Sequence, residues 1–386
     1  MRLTGHRPNV RGERPDVPVV GGETARRFGA WVRYGGPVSP EQVEFAVEHY
    51  QVAILQPWEL DVLASLKRAR PDMVVLTYKC LSSTRSYEGG PHFTSGLSYQ
   101  EAVECGEDFF AHRADGVTRI EWQTYPEHWQ MAVWCDKYRD RWVENVTTEL
   151  AGSLWDGVMA DNDIFDDYYA LHPPLEGGRG LPELRGGLDQ LVRAAGEALN
   201  AIGKILVPNI AESRREPGRW RRHAAHGGGF EEVWLAYSGE HHFDVPTALA
   251  QMECLANPGM TIVRIATDGT DEHPNVLYGL AAFWIFGGGR TGTSFAATGH
   301  DQYSGTPYVP QLDWDIGAPT SAVRRRGHGR YRSFTGGWAA VNLNGRGHRT
   351  ITFRVPPGLR EVDGAPAPRT VTLPPHQGVI YRRVQP

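Results

Sequence analysis

Cysteine is scarce in this chain of 386 residues, with only Cys80, Cys105, Cys135 and Cys254, far apart and forming no CxxC pair. That spacing argues against a zinc ribbon and a dense disulfide framework, so reduced, buried thiols are expected. No run is long and apolar enough to span a bilayer, and no membrane partner is expected. The formal net charge is -5 and no dense Lys/Arg stripe occurs, which speaks against a nucleic-acid partner. The run Arg324-Arg325-Arg326 sits in a Gly-rich stretch and reads as a solvated loop. The N-terminus is polar and rich in Pro and Arg, without the apolar segment of a secretory signal. Residues 1–25 are therefore expected to be a flexible segment, and the chain to be cytoplasmic as given, secretion needing an upstream signal. The pair His241-His242 would point to opposite faces of a strand, so no metal site is expected, and no cofactor.

What the sequence does hold is an alternation of short apolar runs with amphipathic stretches, the mark of α/β architecture. The length exceeds the ~250–300 residues at which a single core stops growing, so a large domain and a small one are expected. Strands are expected at 28–34, 52–58, 73–79, 155–162, 204–209, 231–237, 260–268 and 290–295. Helix signals lie between most of them, the clearest at Ser39-Pro40-Glu41-Gln42, where an N-cap meets a proline and a first-turn acid. Eight strands alternating with helices describe a closed (β/α)8 barrel over residues 26–317. The rival is an open doubly wound sheet, and Tyr34-Gly35-Gly36-Pro37 lacks its phosphate-binding glycine pattern. Residues 81–135 are an irregular, aromatic-rich excursion, of the kind that usually carries function. From 318 to 386 only short strand-like runs and turn signals remain, so a small β-sandwich is expected there.

Barrel enzymes place their chemistry at the C-terminal ends of the strands. The fourth predicted strand closes on Asp161-Asn162 and the fifth on Asn209, with Glu212 just beyond. The sixth closes on Tyr237-Ser238-Gly239-Glu240, and the seventh reaches Asp268. Two carboxyl groups facing each other across the mouth could cleave a glycosidic bond, one protonating the leaving oxygen and the other attacking or activating water. Asp161 and Glu240 are the expected catalytic pair, with Glu212 as the competitor for the second role. Asp161 is expected to be nucleophile or charge stabiliser, with Lys79 as its neighbour and cation, and Glu240 the general acid/base. Trp31, Trp58 and Trp134 are candidate sugar platforms. Asn162, Asn209, Tyr237 and Asp268 complete the expected substrate-binding set. Each also has a plainer reading: a turn-capping Asp, a core Trp, a solvated Glu.

The run Asp156-Gly157-Val158-Met159-Ala160-Asp161 resembles a strand-end pattern of the (β/α)8 glycoside-hydrolase-like group that includes the alpha-1,4-polygalactosaminidase and spherulin-4-type families. Asn209 matches that group's next strand and Glu240 a later one. Within the group the chain is most similar to a hypothetical glycoside-hydrolase family whose members end in a β-domain. The matching residues are Asp315-Ile316-Gly317-Ala318-Pro319, then Arg332, Phe334 and Gly337, then Val341-Asn342. Asn209 is not followed by the Pro-Gly common among the polygalactosaminidases. The resemblance implies a barrel glycosidase and a carbohydrate substrate, and leaves the sugar and the oligomeric state unspecified. Two other functions stay open: a barrel lyase or aldolase forming a Schiff base on Lys79, and a catalytically silent carbohydrate-binding barrel.

Overall fold

The computed structural model describes residues 26–257, 259–299, 303, 305–345, 347 and 349–383. The segment 1–25, expected to be flexible, lies outside them. Eight parallel strands close into a barrel in the order β1-β10-β9-β8-β7-β6-β3-β2. They are β1 (Gly29–Arg33), β2 (Tyr50–Leu55), β3 (Val74–Cys80), β6 (Gly157–Asp163), β7 (Ile205–Ile210), β8 (Gly228–Glu231), β9 (Met260–Thr267) and β10 (Thr293–Gly299). Around them lie α1 (Pro40–His49), α2 (Leu60–Ala69), α4 (Asp136–Leu150), α5 (Leu181–Ala201), α6 (Arg219–His223), α7 (Val245–Gln251) and α8 (Pro274–Gly287). The expected start of α1 is observed: Ser39 Oγ accepts from Gln42 N while Gln42 Oε1 accepts from Ser39 N.

The excursion after β3 is ordered by its own hairpin, β4 (Ser83–Arg85) against β5 (His128–Gln130), and by a short helix α3 (Tyr99–Cys105). It is tied to α4 through buried donors. Trp142 Nε1 donates to the Cys80 carbonyl at 2.9 Å, and the Tyr138 hydroxyl donates to the Leu81 carbonyl at 2.8 Å.

One expected strand is displaced. The sixth barrel strand is Gly228–Glu231, not 231–237. Its glycines resemble a turn in sequence, yet close packing requires them. A Cβ on Gly228 would stand 2.4 Å from the Met260 carbonyl oxygen, and one on Gly229 2.7 Å from Trp220 Cζ2. The apolar run Val233-Trp234-Leu235-Ala236 is instead a loop whose centre is buried, with Leu235 at φ +65°. The buried Gln251 side chain takes the place of a ladder partner there. Its Oε1 accepts from Leu235 N at 2.9 Å and its Nε2 donates to the Val233 carbonyl at 2.7 Å.

All four cysteines are free. Cys80 and Cys254 are buried as expected, whereas Cys105 is exposed and Cys135 half-buried, so burial holds for only two. No helix among the described residues is long and apolar enough to cross a membrane.

The C-terminal strands are β11 (Arg324–Arg326), β12 (Gly329–Ser333), β13 (Gly337–Asn342), β14 (Ile351–Arg354), β15 (Thr370–Leu373) and β16 (Gln377–Arg382). The three arginines expected in a loop are thus a short, exposed edge strand. An antiparallel sheet β11-β12-β13-β16 and a two-stranded sheet β14-β15 form this part. Strand alternation gives the larger sheet two apolar faces. Ala339, Val341 and Ile380 join the barrel's core, while Trp338, Ala340 and Tyr381 join Phe353, Leu359 and Leu373 in a second one. β16 presses on α8 so closely that a Cβ on Gly378 would lie 2.6 Å from the Leu277 carbonyl oxygen. This explains why α8 is apolar all round: the barrel covers one side and the sheet the other. Ending the chain at Gly317 should therefore leave α8 uncovered. The expected outcome is insoluble protein on expression; a soluble truncation with an unchanged melting temperature would contradict this packing account.

Candidate active site

The Asp156-Gly157-x-x-x-Asp161 run is explained by the barrel's two ends. At the lower end, Asp156 Oδ2 accepts from Val75 N at 2.7 Å and pairs with Lys67 Nζ at 2.6 Å. Gly157 is required because a Cβ would fall 2.1 Å from the Ile205 carbonyl oxygen. At the upper end the β6–β7 register shifts between Ala160 and Asp163, and Asn162 adopts φ +63°. Irregularities of this kind re-aim side chains next to sites. Here Asp161 turns inward and Asp163 outward.

Asp161 receives four hydrogen bonds. Oδ1 accepts from Asn162 N at 2.8 Å and Asn209 Nδ2 at 2.9 Å, and Oδ2 from the Tyr78 hydroxyl at 2.6 Å and Asn162 Nδ2 at 3.2 Å. This set suits an ionised carboxylate, which only accepts. The Asn209 amide also donates to Glu232 Oε2 at 2.6 Å. Those two carboxylate oxygens therefore lie no farther apart than the two bonds laid end to end, about 5.5 Å. The Tyr303 hydroxyl donates to Glu232 Oε1. Burial, then the negative charge of Asp161, raise the pKa of Glu232, against the opposing pull of Arg264 and of the hydrogen bonds from Tyr303 and Asn209. Arg264 is held by Thr298 Oγ1 and the Gly299 carbonyl, both at 2.7 Å, with its guanidinium 5.0 Å from the Tyr303 ring centre. Tyr34 packs against both Tyr78 and Tyr303. Along one side, the Tyr169 hydroxyl donates to Asn162 Oδ1, and its ring stacks on Trp122 at 3.7 Å.

The sequence-selected residues divide accordingly. Asp161, Asn162 and Asn209 come together. Glu240 is exposed in the turn after Ser238, and the carboxylate sharing Asn209 with Asp161 is Glu232. The cause is the displaced strand: Asn209 is in register with Phe230, which puts Glu232 just above the strand's end. Glu212 is left-handed at φ +53° and paired with Arg214 at 2.6 Å. Lys79 does not pair with Asp161. Alternation sends it outward from Tyr78, to Glu149 Oε2 at 2.6 Å and the Phe93 carbonyl at 2.7 Å. There it is fully buried, which withholds it from a carbonyl substrate. Trp31 is part of the core and Trp134 lies under the Arg179 guanidinium at 5.5 Å. Trp58 is 47% exposed in the turn after β2. Tyr237 is exposed and stacked on His241. Asp268 caps its own turn, accepting from Thr270 N and Oγ1, which lowers its pKa. Glu232, Tyr78, Tyr303 and Arg264 were not singled out as site residues from sequence. The adjacent Glu231-Glu232 pair was a usable signal, since a strand end turns only one of two neighbours inward.

A parallel barrel with paired acids at the C-terminal ends of its strands is the architecture of the (β/α)8 glycosidases. Residues 67–338 match the model of hypothetical glycosyl hydrolase family 15, and the chain belongs to that family. This agrees with the kinship expected from the β-domain motifs. No curated protein matches the sequence. Solved structures show a similar fold at low identity. An alpha-amylase from Lactobacillus plantarum has a TM-score of 0.50 at 10% identity, over 92% of this chain and 99% of that one. Aspergillus fumigatus Ega3 in complex with galactosamine has 0.45 at 11%, over 75% and 98%.

On the outer side of β6, buried Asp163 pairs with Arg219 Nη2 at 2.7 Å, and His223 lies between Asp163 and Asp189. The two acids raise the His223 pKa to about 9 despite its burial. A histidine with a folded-state pKa above its unfolded 6.5 adds stability that is full below pH 6.5 and lost as pH rises through about 9. Stability should accordingly fall between these pH values by about 3 kcal/mol at most, seen as a falling melting temperature, and His223→Gln should flatten that slope. An unchanged slope in the variant would remove His223 from the effect.

Proposed function

We propose that this protein is a retaining glycoside hydrolase, acting on an oligo- or polysaccharide with Asp161 as nucleophile and Glu232 as general acid/base. The observation that carries this reading is the single Asn209 amide shared by both carboxylates. The two oxygens it joins lie within about 5.5 Å of each other, close to the roughly 5–5.5 Å of retaining pairs, whereas inversion needs roughly 6.5–9.5 Å to admit the attacking water between base and sugar. In the first step an Asp161 oxygen bonds to the anomeric carbon. The bond to the leaving oxygen breaks, and that oxygen takes the Glu232 proton. In the second step water attacks the same carbon, gives its proton to Glu232 and releases Asp161. The raised Glu232 pKa supports the acid role, as a protonated carboxyl is needed near neutrality. The roles are those expected from sequence, with Glu232 in the place of Glu240. We also propose the β-rich part from 318 onward as a separate, structural domain, because it contributes no acid to the pair.

Asp161→Asn and Glu232→Gln should each lower kcat by on the order of 10^3-fold on a cleaved polysaccharide, with the melting temperature kept. Glu240→Gln should stay within about twofold of the parent, as exposed residues usually do. Azide should restore activity to Glu232→Ala on an activated aryl glycoside and give a glycosyl azide. Full activity in Asp161→Asn or Glu232→Gln would overturn the assignment.

A further inference from the structure

We infer that Tyr78 and Arg85 are positioning residues that prepare Asp161 to act as a leaving group in the second half of the reaction. The inference rests on Asp161 being the nucleophile. Arg85, on the first strand of the excursion's hairpin, donates from Nη2 to the Tyr78 hydroxyl at 3.2 Å. That hydroxyl in turn donates to Asp161 Oδ2 at 2.6 Å. The guanidinium also lies 5.4 Å from the Tyr78 ring centre. Its own place is fixed by Glu88 Oε1 at 3.1 Å, and Glu88 is fixed by Thr94, whose N and Oγ1 donate at 2.9 and 2.6 Å. A hydroxyl that accepts from a cation is a stronger donor to the next acceptor, because successive hydrogen bonds polarise one another.

The direction of this effect follows from the charge on Asp161. When Asp161 bonds to the anomeric carbon its negative charge is spent, and a donor on Oδ2 gains little. When water displaces it, the bond between the anomeric carbon and the carboxylate oxygen breaks and the electron pair returns to Asp161. A donor already in place stabilises that returning charge without reorganisation. Tyr78 and Arg85 should thus speed release of the glycosyl group more than its capture. The chain of contacts also joins the nucleophile to the excursion, since Arg85 is in register with His128, which lies parallel to Trp122 in the aromatic wall.

The test uses the full chain and a 2,4-dinitrophenyl glycoside that it cleaves. Tyr78→Phe keeps the ring and removes the donor. The expected result is a fall in kcat of about tenfold with a parallel fall in KM, so that kcat/KM stays within about threefold, because the glycosyl-enzyme accumulates. A burst approaching one equivalent of dinitrophenolate should accompany it. Arg85→Met should show the same pattern, and Arg85→Lys, which keeps the charge, a smaller one. Equal losses in kcat and kcat/KM without a burst, in variants with a native near-UV circular dichroism spectrum, would overturn the inference. So would unchanged kinetics in Tyr78→Phe and Arg85→Met. Asp161→Asn run alongside separates the two levels. If it is inactive while Tyr78→Phe is normal, only this inference fails; if it is active, the nucleophile assignment fails as well.

Discussion

The arrangement depends on one amide placed between two acids. Two carboxylates whose facing oxygens lie within about 5.5 Å of each other repel by about 3 kcal/mol at an effective dielectric constant near 20 if both are charged. Asn209 offsets part of this by giving one N–H to each. The remaining donors are distributed unequally. Asp161 takes Tyr78 and both nitrogens of Asn162, whereas Glu232 has Tyr303 and the nearby Arg264. Two similar groups thus meet different surroundings, and burial beside Asp161 pushes the Glu232 pKa upward.

Glycine sets where those groups stand. Gly157 lets β6 pass the Ile205 carbonyl, and Gly228 and Gly229 let β8 lie against Met260 and Trp220. Strands built this way are tightly packed, and their last residues fall around one mouth. The irregular end of β6 then separates two acids by face: Asp161 goes to the site and Asp163 to the buried Arg219 and His223. One turn of chain therefore supplies both the proposed nucleophile and an anchor for α6.

Much of this was legible in the sequence. Seven of the eight barrel strands lie near the expected positions, because an apolar run between turn signals marks a buried parallel strand well. Asp161, Asn162 and Asn209, each expected because it closes such a run, stand together in hydrogen-bond contact. Glu232 was missed for a physical reason. Gly227-Gly228-Gly229 has the composition of a turn, and Val233 to Ala236 that of a strand, while the structure reverses both. What decides this is the Met260 backbone and the Gln251 side chain, which are remote in sequence. Lys79 was misplaced by one step of alternation, since a strand's composition does not say which of Tyr78 and Lys79 faces inward.

The central claim is that Asp161 and Glu232 act on one anomeric carbon from the separation that retention requires. Its most direct measurement is proton NMR of the first product formed from a polysaccharide that the protein cleaves, recorded before mutarotation. The account predicts that the new reducing end first appears with the anomeric configuration of the bond that was cut. First appearance of the opposite anomer would contradict it, and would mean that one carboxylate activates a water instead of bonding to the sugar.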